Sequence, residues 1–142
     1  MTENNLIQIL PNIYIGDCDN ELIQYYNILN IININTSKQN YHDFNTLNVS
    51  TDDFDELIHS DKLLNLDFNT INDFIIEVLR KNEQVIICDK NMIVSFTIIC
   101  AFILKFLNIP FTNTITFVQR KMNLDIKTIP QILLFQLFTY FK

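Results

Sequence analysis

With 16 Asp and Glu against 10 Lys and Arg, this 142-residue chain has a formal charge of −6, which disfavours nucleic acid or an anionic membrane surface as its main partner. Hydrophobic residues form 49% and aromatic residues 12% of it, so the chain is expected to fold rather than stay disordered. A single domain over residues 1–142 would bury about two-thirds of the surface its unfolded form exposes, and with one Gly in the whole sequence a glycine-lined phosphate cradle is not expected.

The first ten residues, MTENNLIQIL, have no basic segment followed by a long apolar one, so no secretory signal is expected. Ile13 to Ile15 reads as a short strand that turns at Gly16 and Asp17. Asn20 can cap a helix over Glu21 to Leu29, and the β-branched run Ile31 to Ile34 reads as a strand. Thr36 to Leu47 is polar and loop-like, Leu47 to Val49 a further strand, and Thr51 to Asp55 an acidic loop. From Leu66 to Arg80 the apolar residues Phe68, Ile71, Phe74, Ile75, Val78 and Leu79 recur at helical spacing. Val85 to Cys88 is wholly apolar, the pattern of a central strand covered on both faces. The apolar run that starts at Met92 stops at Lys105, short of the roughly 20 residues a membrane span requires, and predicts a core helix over Val94 to Leu107. Asn113 to Met122 and Pro130 to Phe141 read as two terminal helices, with Pro11, Pro110 and Pro130 at element boundaries. Strands alternating with helices predict an α/β fold in which helices flank a central, mostly parallel, twisted sheet.

Cys18, Cys88 and Cys100 are odd in number, widely spaced and without metal-ligand spacing, which predicts reduced thiols in a cytosol-like compartment. Cys88 and Cys100 lie in apolar runs and read as inert core thiols. His42 and His59 have no Cys, Asp or Glu at ligand spacing, so both read as surface residues and no metal or cofactor is expected.

The run VIICDKNMIVSFTIICAFIL, Val85 to Leu104, resembles the catalytic loop of dual-specificity, cysteine-dependent protein phosphatases, in which an apolar strand is followed by HCxxGxxRS and a helix ending in AYLM. Other segments are similar in the right order. ILPNIYIGD (Ile9 to Asp17) resembles the family's opening strand, NILNIINI (Asn27 to Ile34) its GITHILNV, and Ala101 to Leu104 its AYLM. FVQRK (Phe117 to Lys121), Pro130 and the pair Gln136-Leu137 resemble its closing pattern. The resemblance, which extends to the poxvirus H1-like type, implies a phosphatase-like fold over nearly the whole chain. The enrichment in Ile, Asn and Lys over Gly, Ala and Pro suits an A/T-biased coding sequence, as in some large DNA viruses and protists.

The same resemblance sets Cys88 on the family's His, Asp89 on the nucleophilic Cys, Met92 on the Gly and Ser95 on the phosphate-gripping Arg. Such an enzyme needs a thiolate to attack phosphorus, an Arg that forks onto two phosphate oxygens and a carboxylic acid for the leaving group. Asp52 is the nearest candidate for that acid, with Asp53 and Asp55 behind it. Asp89 would oppose a phosphate dianion, Ser95 offers one hydroxyl in place of a cation, and Met92 does not readily take the positive φ that Gly allows. The expectation is a catalytically inactive phosphatase-like protein, intracellular and in the host cytoplasm if viral. It would act through a protein partner, such as a phosphatase substrate or regulator, or as a homodimer. The alternative is an enzyme of different activity that uses Asp89 with Asp52 or Asp53 as an acid/base pair. Asp89 as a phospho-acceptor is disfavoured, because the second Asp of such sites is here Asn91.

Overall fold

Four apolar residues in a row leave a strand no face to turn toward water, and in the computed structural model Val85–Cys88 is buried throughout, at the centre of the sheet. The structure describes residues 6–16, 20–34, 44–49, 66–89 and 92–141. Five strands are β1 (Leu6–Leu10), β2 (Ile13–Gly16), β3 (Asn30–Ile34), β4 (Asn45–Val49) and β5 (Val85–Cys88), arranged in the order β1-β2-β5-β3-β4. β5 runs parallel to both β2 and β3, and β4 runs parallel to β3; the β1–β2 hairpin is antiparallel. The mostly parallel sheet expected from the sequence is therefore present.

Alternation along the strands divides the core in two. Ile13, Ile15, Ile32, Ile34, Val85 and Ile87 turn to one face and join the main cluster with the helices α2 (Phe68–Arg80), α3 (Ile93–Phe106), α4 (Phe111–Met122) and α5 (Gln131–Phe141). Ile31, Ile86 and Cys88 turn to the other and pack with Ile23 of α1 (Asn20–Tyr25) and with Ile28. Helix α3 is apolar on every side and buried from Ile93 to Leu104, which makes it the axis of the helical layer. Each fully buried Ile or Phe of this kind contributes about 1.5–3 kcal/mol. The two buried hydroxyls of the helix donate back to its own carbonyls, Ser95 Oγ to Met92 O at 3.0 Å and Thr97 Oγ1 to Ile93 O at 2.9 Å.

Helix α2 begins at Asp67, whose carboxylate accepts from the Thr70 hydroxyl at 2.7 Å and from the Thr70 N–H at 3.1 Å. Those bonds hold the Asp67 carboxyl below its ordinary range. At the far end of the chain, Asn72 Nδ2 donates to Tyr140 Oη at 2.9 Å and Tyr140 Oη donates to Asn69 Oδ1 at 3.0 Å, tying α5 to α2. Burial pushes the Tyr140 phenol up, so at high pH it keeps its proton and these bonds longer than an unfolded tyrosine would.

At the other edge, β3 and β4 are joined through side chains as well as backbone. Asn45 Nδ2 donates to Asn30 Oδ1 at 3.0 Å, and Asn33 Nδ2 donates to Asn48 Oδ1 at 3.1 Å, each pair directly opposite in register.

Several boundaries differ from the sequence expectation. Strand β1 was not expected; LIQIL pairs with β2 through a hairpin in which Asn12, with φ 69°, follows Pro11. Helix α1 stops at Tyr25 rather than Leu29, because Asn27 enters the left-handed region at φ 57° and ends it. Strand β4 starts at Asn45, two residues before the expected Leu47. Helix α4 starts at Phe111, immediately after Pro110. The expected acidic loop Thr51 to Asp55 and most of the polar stretch from Thr36 lie outside the described residues. Among the described residues no helix is long and apolar enough to cross a membrane.

Candidate functional site

Strand β5 delivers the chain to Asp89 at its carboxyl end, the side of a parallel sheet where binding clefts form, and α3 starts a few residues later. Asp89 is 6% exposed, and its Oδ2 accepts a hydrogen bond from the Ser95 backbone N–H at 2.7 Å. Ser95 is the third residue of α3, so the carboxylate satisfies one of the donors that a helix leaves unpaired at its start. The negative charge also sits at the positive end of the helix dipole. Here a carboxylate from the chain itself fills the kind of position in which helix N-termini bind phosphate.

The position N-terminal to the helix is Met92, with φ 65° and ψ −9° and no side-chain cap. This corrects the expectation that Met92 would avoid the left-handed region. Met92 adopts it at the start of α3, and its half-buried side chain packs against the main core. Every other described non-Gly residue with positive φ is an asparagine: Asn12, Asn27, Asn82, Asn108 and Asn123. Asn tolerates this conformation through local hydrogen bonding, whereas an unbranched apolar residue pays about 1–2 kcal/mol. Met92→Gly should therefore be more stable than Met92→Ala by about 1–2 kcal/mol in urea unfolding, both having lost the thioether packing. Equal midpoints for the two variants would mean that the left-handed turn is absent in solution.

Ser95 is fully buried, with its hydroxyl turned back to Met92 O. Asp89, Met92 and Ser95 are thus brought together around one turn. Asp52 and Asp53, the expected acid candidates, lie outside the described residues, as do Asp55, Lys90, Asn91, His42 and His59. Cys88 is buried at the end of β5 but is disulfide-bonded, contrary to the expectation of reduced thiols. Its strand neighbour is Gly16 of β2, a proximity set by sheet register and invisible in sequence spacing. Cys18 lies outside the described residues. Cys100 is a free thiol at 0% exposure, pushed far above its ordinary range by burial, and has no route to reaction. Among the described residues no three His, Cys, Asp or Glu side chains gather as metal ligands.

No protein-family model matches the sequence, and no curated protein matches it. Solved structures match by fold. The chain is similar to a human tyrosine phosphatase-like serine/threonine/tyrosine-interacting protein, with TM-score 0.78 and 19% identity over 95% of this chain and 94% of that one. It is also similar to human DUSP28, with TM-score 0.70 and 12% identity over 98% and 94% of the two chains. A leucine rich repeat and phosphatase domain containing protein from Entamoeba histolytica superposes with TM-score 0.68 and 22% identity over 96% and 90%. The five-stranded sheet with its flanking helices is the fold of dual-specificity phosphatases.

Proposed function

We propose that this chain is a catalytically inactive member of the phosphatase fold that works by binding a protein partner. The observation that carries the reading is the Asp89 carboxylate, buried and bonded to the Ser95 N–H at 2.7 Å at the start of α3. A phosphatase needs that helix terminus open to the substrate's phosphate, with a thiolate beneath it and a cation alongside. Here a carboxylate takes the N–H, a buried hydroxyl takes the place that the resemblance gives to Arg, and no thiol stands at residue 89. An incoming phosphate dianion would have to displace Asp89 and then lie within a few ångströms of it, a repulsion of about 4 kcal/mol per pair of unit charges at the effective dielectric of a protein surface.

Support for a binding role comes from what the fold keeps without its chemistry: the central strand β5 and the apolar helix α3 are intact on either side of the altered turn. A p-nitrophenyl phosphate assay at several pH values, run beside a heat-denatured control, tests the reading. No turnover above the control is expected, and tungstate should leave the melting temperature unchanged. Turnover that tungstate inhibits would overturn the proposal.

A further inference from the structure

The sign of the charge changes sharply along the chain. Residues 1–104 hold fifteen acids and five bases, whereas residues 105–142 hold five bases, Lys105, Arg120, Lys121, Lys127 and Lys142, against Asp125 alone. A whole-chain charge of −6 conceals this basic segment. Helix α4 lies within it. Thr114, Val118 and Met122 recur every four residues and are buried, so they fix the inward face of the helix.

Its opposite face is Thr112, Asn113, Thr116, Phe117, Arg120 and Lys121, which line an open groove of about 520 Å³. Phe117 is 37% exposed, and Lys121 Nζ lies 6.0 Å from the centre of its ring. Arg120 and Lys121 are exposed and form no ion pair with a described acid. Their place in the last turn suits the helix dipole, but the dipole does not account for a large aromatic ring held open to water between them and two small hydroxyl residues.

We infer that this face of α4 is a docking site for an acidic peptide segment bearing an apolar side chain. Charge complementarity names the occupant. Carboxylates would meet Arg120 and Lys121, an apolar side chain would cover the Phe117 ring, and Thr112, Asn113 and Thr116 would offer hydrogen bonds along the groove. The Arg guanidinium can fork onto a carboxylate, and aromatic and Arg residues are the usual anchors of protein interfaces. Twelve residues of helix, about 18 Å at 1.5 Å per residue, span a peptide of five or six extended residues. The rest of the molecule is acidic and would repel the same partner, so electrostatics would steer it to this face. This inference rests on the reading of the chain as a binding protein, and not on the loss of catalysis.

The test is fluorescence anisotropy of the intact protein with a fluorescein-labelled short peptide of Glu carrying a central Phe-Leu pair. An all-Glu peptide and a Lys-substituted twin serve as controls. Saturable binding of the first peptide is expected, with the Lys twin at least about tenfold weaker and affinity falling as salt rises from about 0.1 to about 0.5 M. Arg120→Glu with Lys121→Glu, and separately Phe117→Ser, should each weaken it about tenfold or more while circular dichroism stays that of the parent. Because all three positions are partly or fully exposed, these variants are expected to fold. No binding, unchanged binding by the variants, or equal binding of the all-Glu peptide would overturn the inference. So would dimerisation through α4 that excludes the peptide, detected by light scattering. Phosphatase turnover in the same preparations would refute the loss of catalysis while leaving peptide binding to be judged on its own, so the two failures can be told apart.

Discussion

Replacing Ser95 by Arg should destabilise the protein by about 3 kcal/mol or more, because a long cation would enter a position with no exposed surface beside a close-packed core. The Ser95 hydroxyl reaches only as far as Met92 O, and its neighbours in α3, Val94 and Phe96, are themselves buried. Ser95→Ala removes that one bond and should cost only about 1 kcal/mol. Urea unfolding of the two variants beside the parent gives the comparison. Since domains of this size are stable by about 5–15 kcal/mol, the Arg variant should lose a large fraction of its margin. A cost below about 1 kcal/mol would reveal room for a guanidinium beside the turn, and with it a phosphate site kept in reserve. The same consideration bears on Asp89→Cys, Met92→Gly and Ser95→Arg made together: the triple variant should be no more stable than Ser95→Arg with Met92→Gly, and no turnover is expected from it.

Asp89→Ala should cost about 1.5–3 kcal/mol, the range for a hydrogen bond to a charged group, since it strips the α3 terminus of its acceptor. Asp89→Asn should cost less, because an amide oxygen can still accept from Ser95 N–H. The more telling measurement is rescue. Without the internal carboxylate, the start of α3 is free to take an external oxyanion, and tungstate at about ten times its dissociation constant would return about 1.4 kcal/mol. Thermal melts should therefore show tungstate raising the midpoint of Asp89→Ala and leaving the parent where it is. A parent that gains as much as the variant would mean that Asp89 does not occupy the anion position. Loss of less than about 0.5 kcal/mol in Asp89→Ala would mean that the carboxylate is not held against the helix in solution.

The elements that proved legible in the sequence are those whose burial is complete. β5 and α3 have no polar face, so composition alone gives their place, and the stripe from Phe68 to Leu79 gives α2 in the same way. Less legible was turn chemistry. With a single Gly, the chain assigns its left-handed positions among the described residues to Met92 and to Asn12, Asn27, Asn82, Asn108 and Asn123, and in a sequence rich in asparagine the latter do not stand out. For that reason the sequence predicts a longer α1 than the one that forms. At the site, the residues Asp89, Met92 and Ser95 were identifiable from their order, but their arrangement was not. Asp89 precedes the cap position by three residues, so a rule that looks for a capping acid immediately before a helix passes over it. The groove on α4 was hidden differently, by a net charge averaged over the whole chain.

The paired asparagines of β3 and β4 determine how this edge of the sheet can assemble. Asn30 and Asn33 are three residues apart and so point to opposite faces, as do their partners Asn45 and Asn48. A slip of one residue during pairing would break both amide bonds and turn Leu47 and Val49 away from the main core. A slip of two would keep the faces but still separate every asparagine from its mate. A slip of three would set Asn30 opposite Asn48, but it would separate Asn33 from Asn48 and turn Leu47 and Val49 away from the main core. Asn30 and Asn33 are 2% and 7% exposed, so each mismatch would cost a buried amide its cross-strand bond. The half-exposed strand β4, which has few apolar contacts to guide it, thus carries its own proofreading: only one alignment satisfies both faces at once.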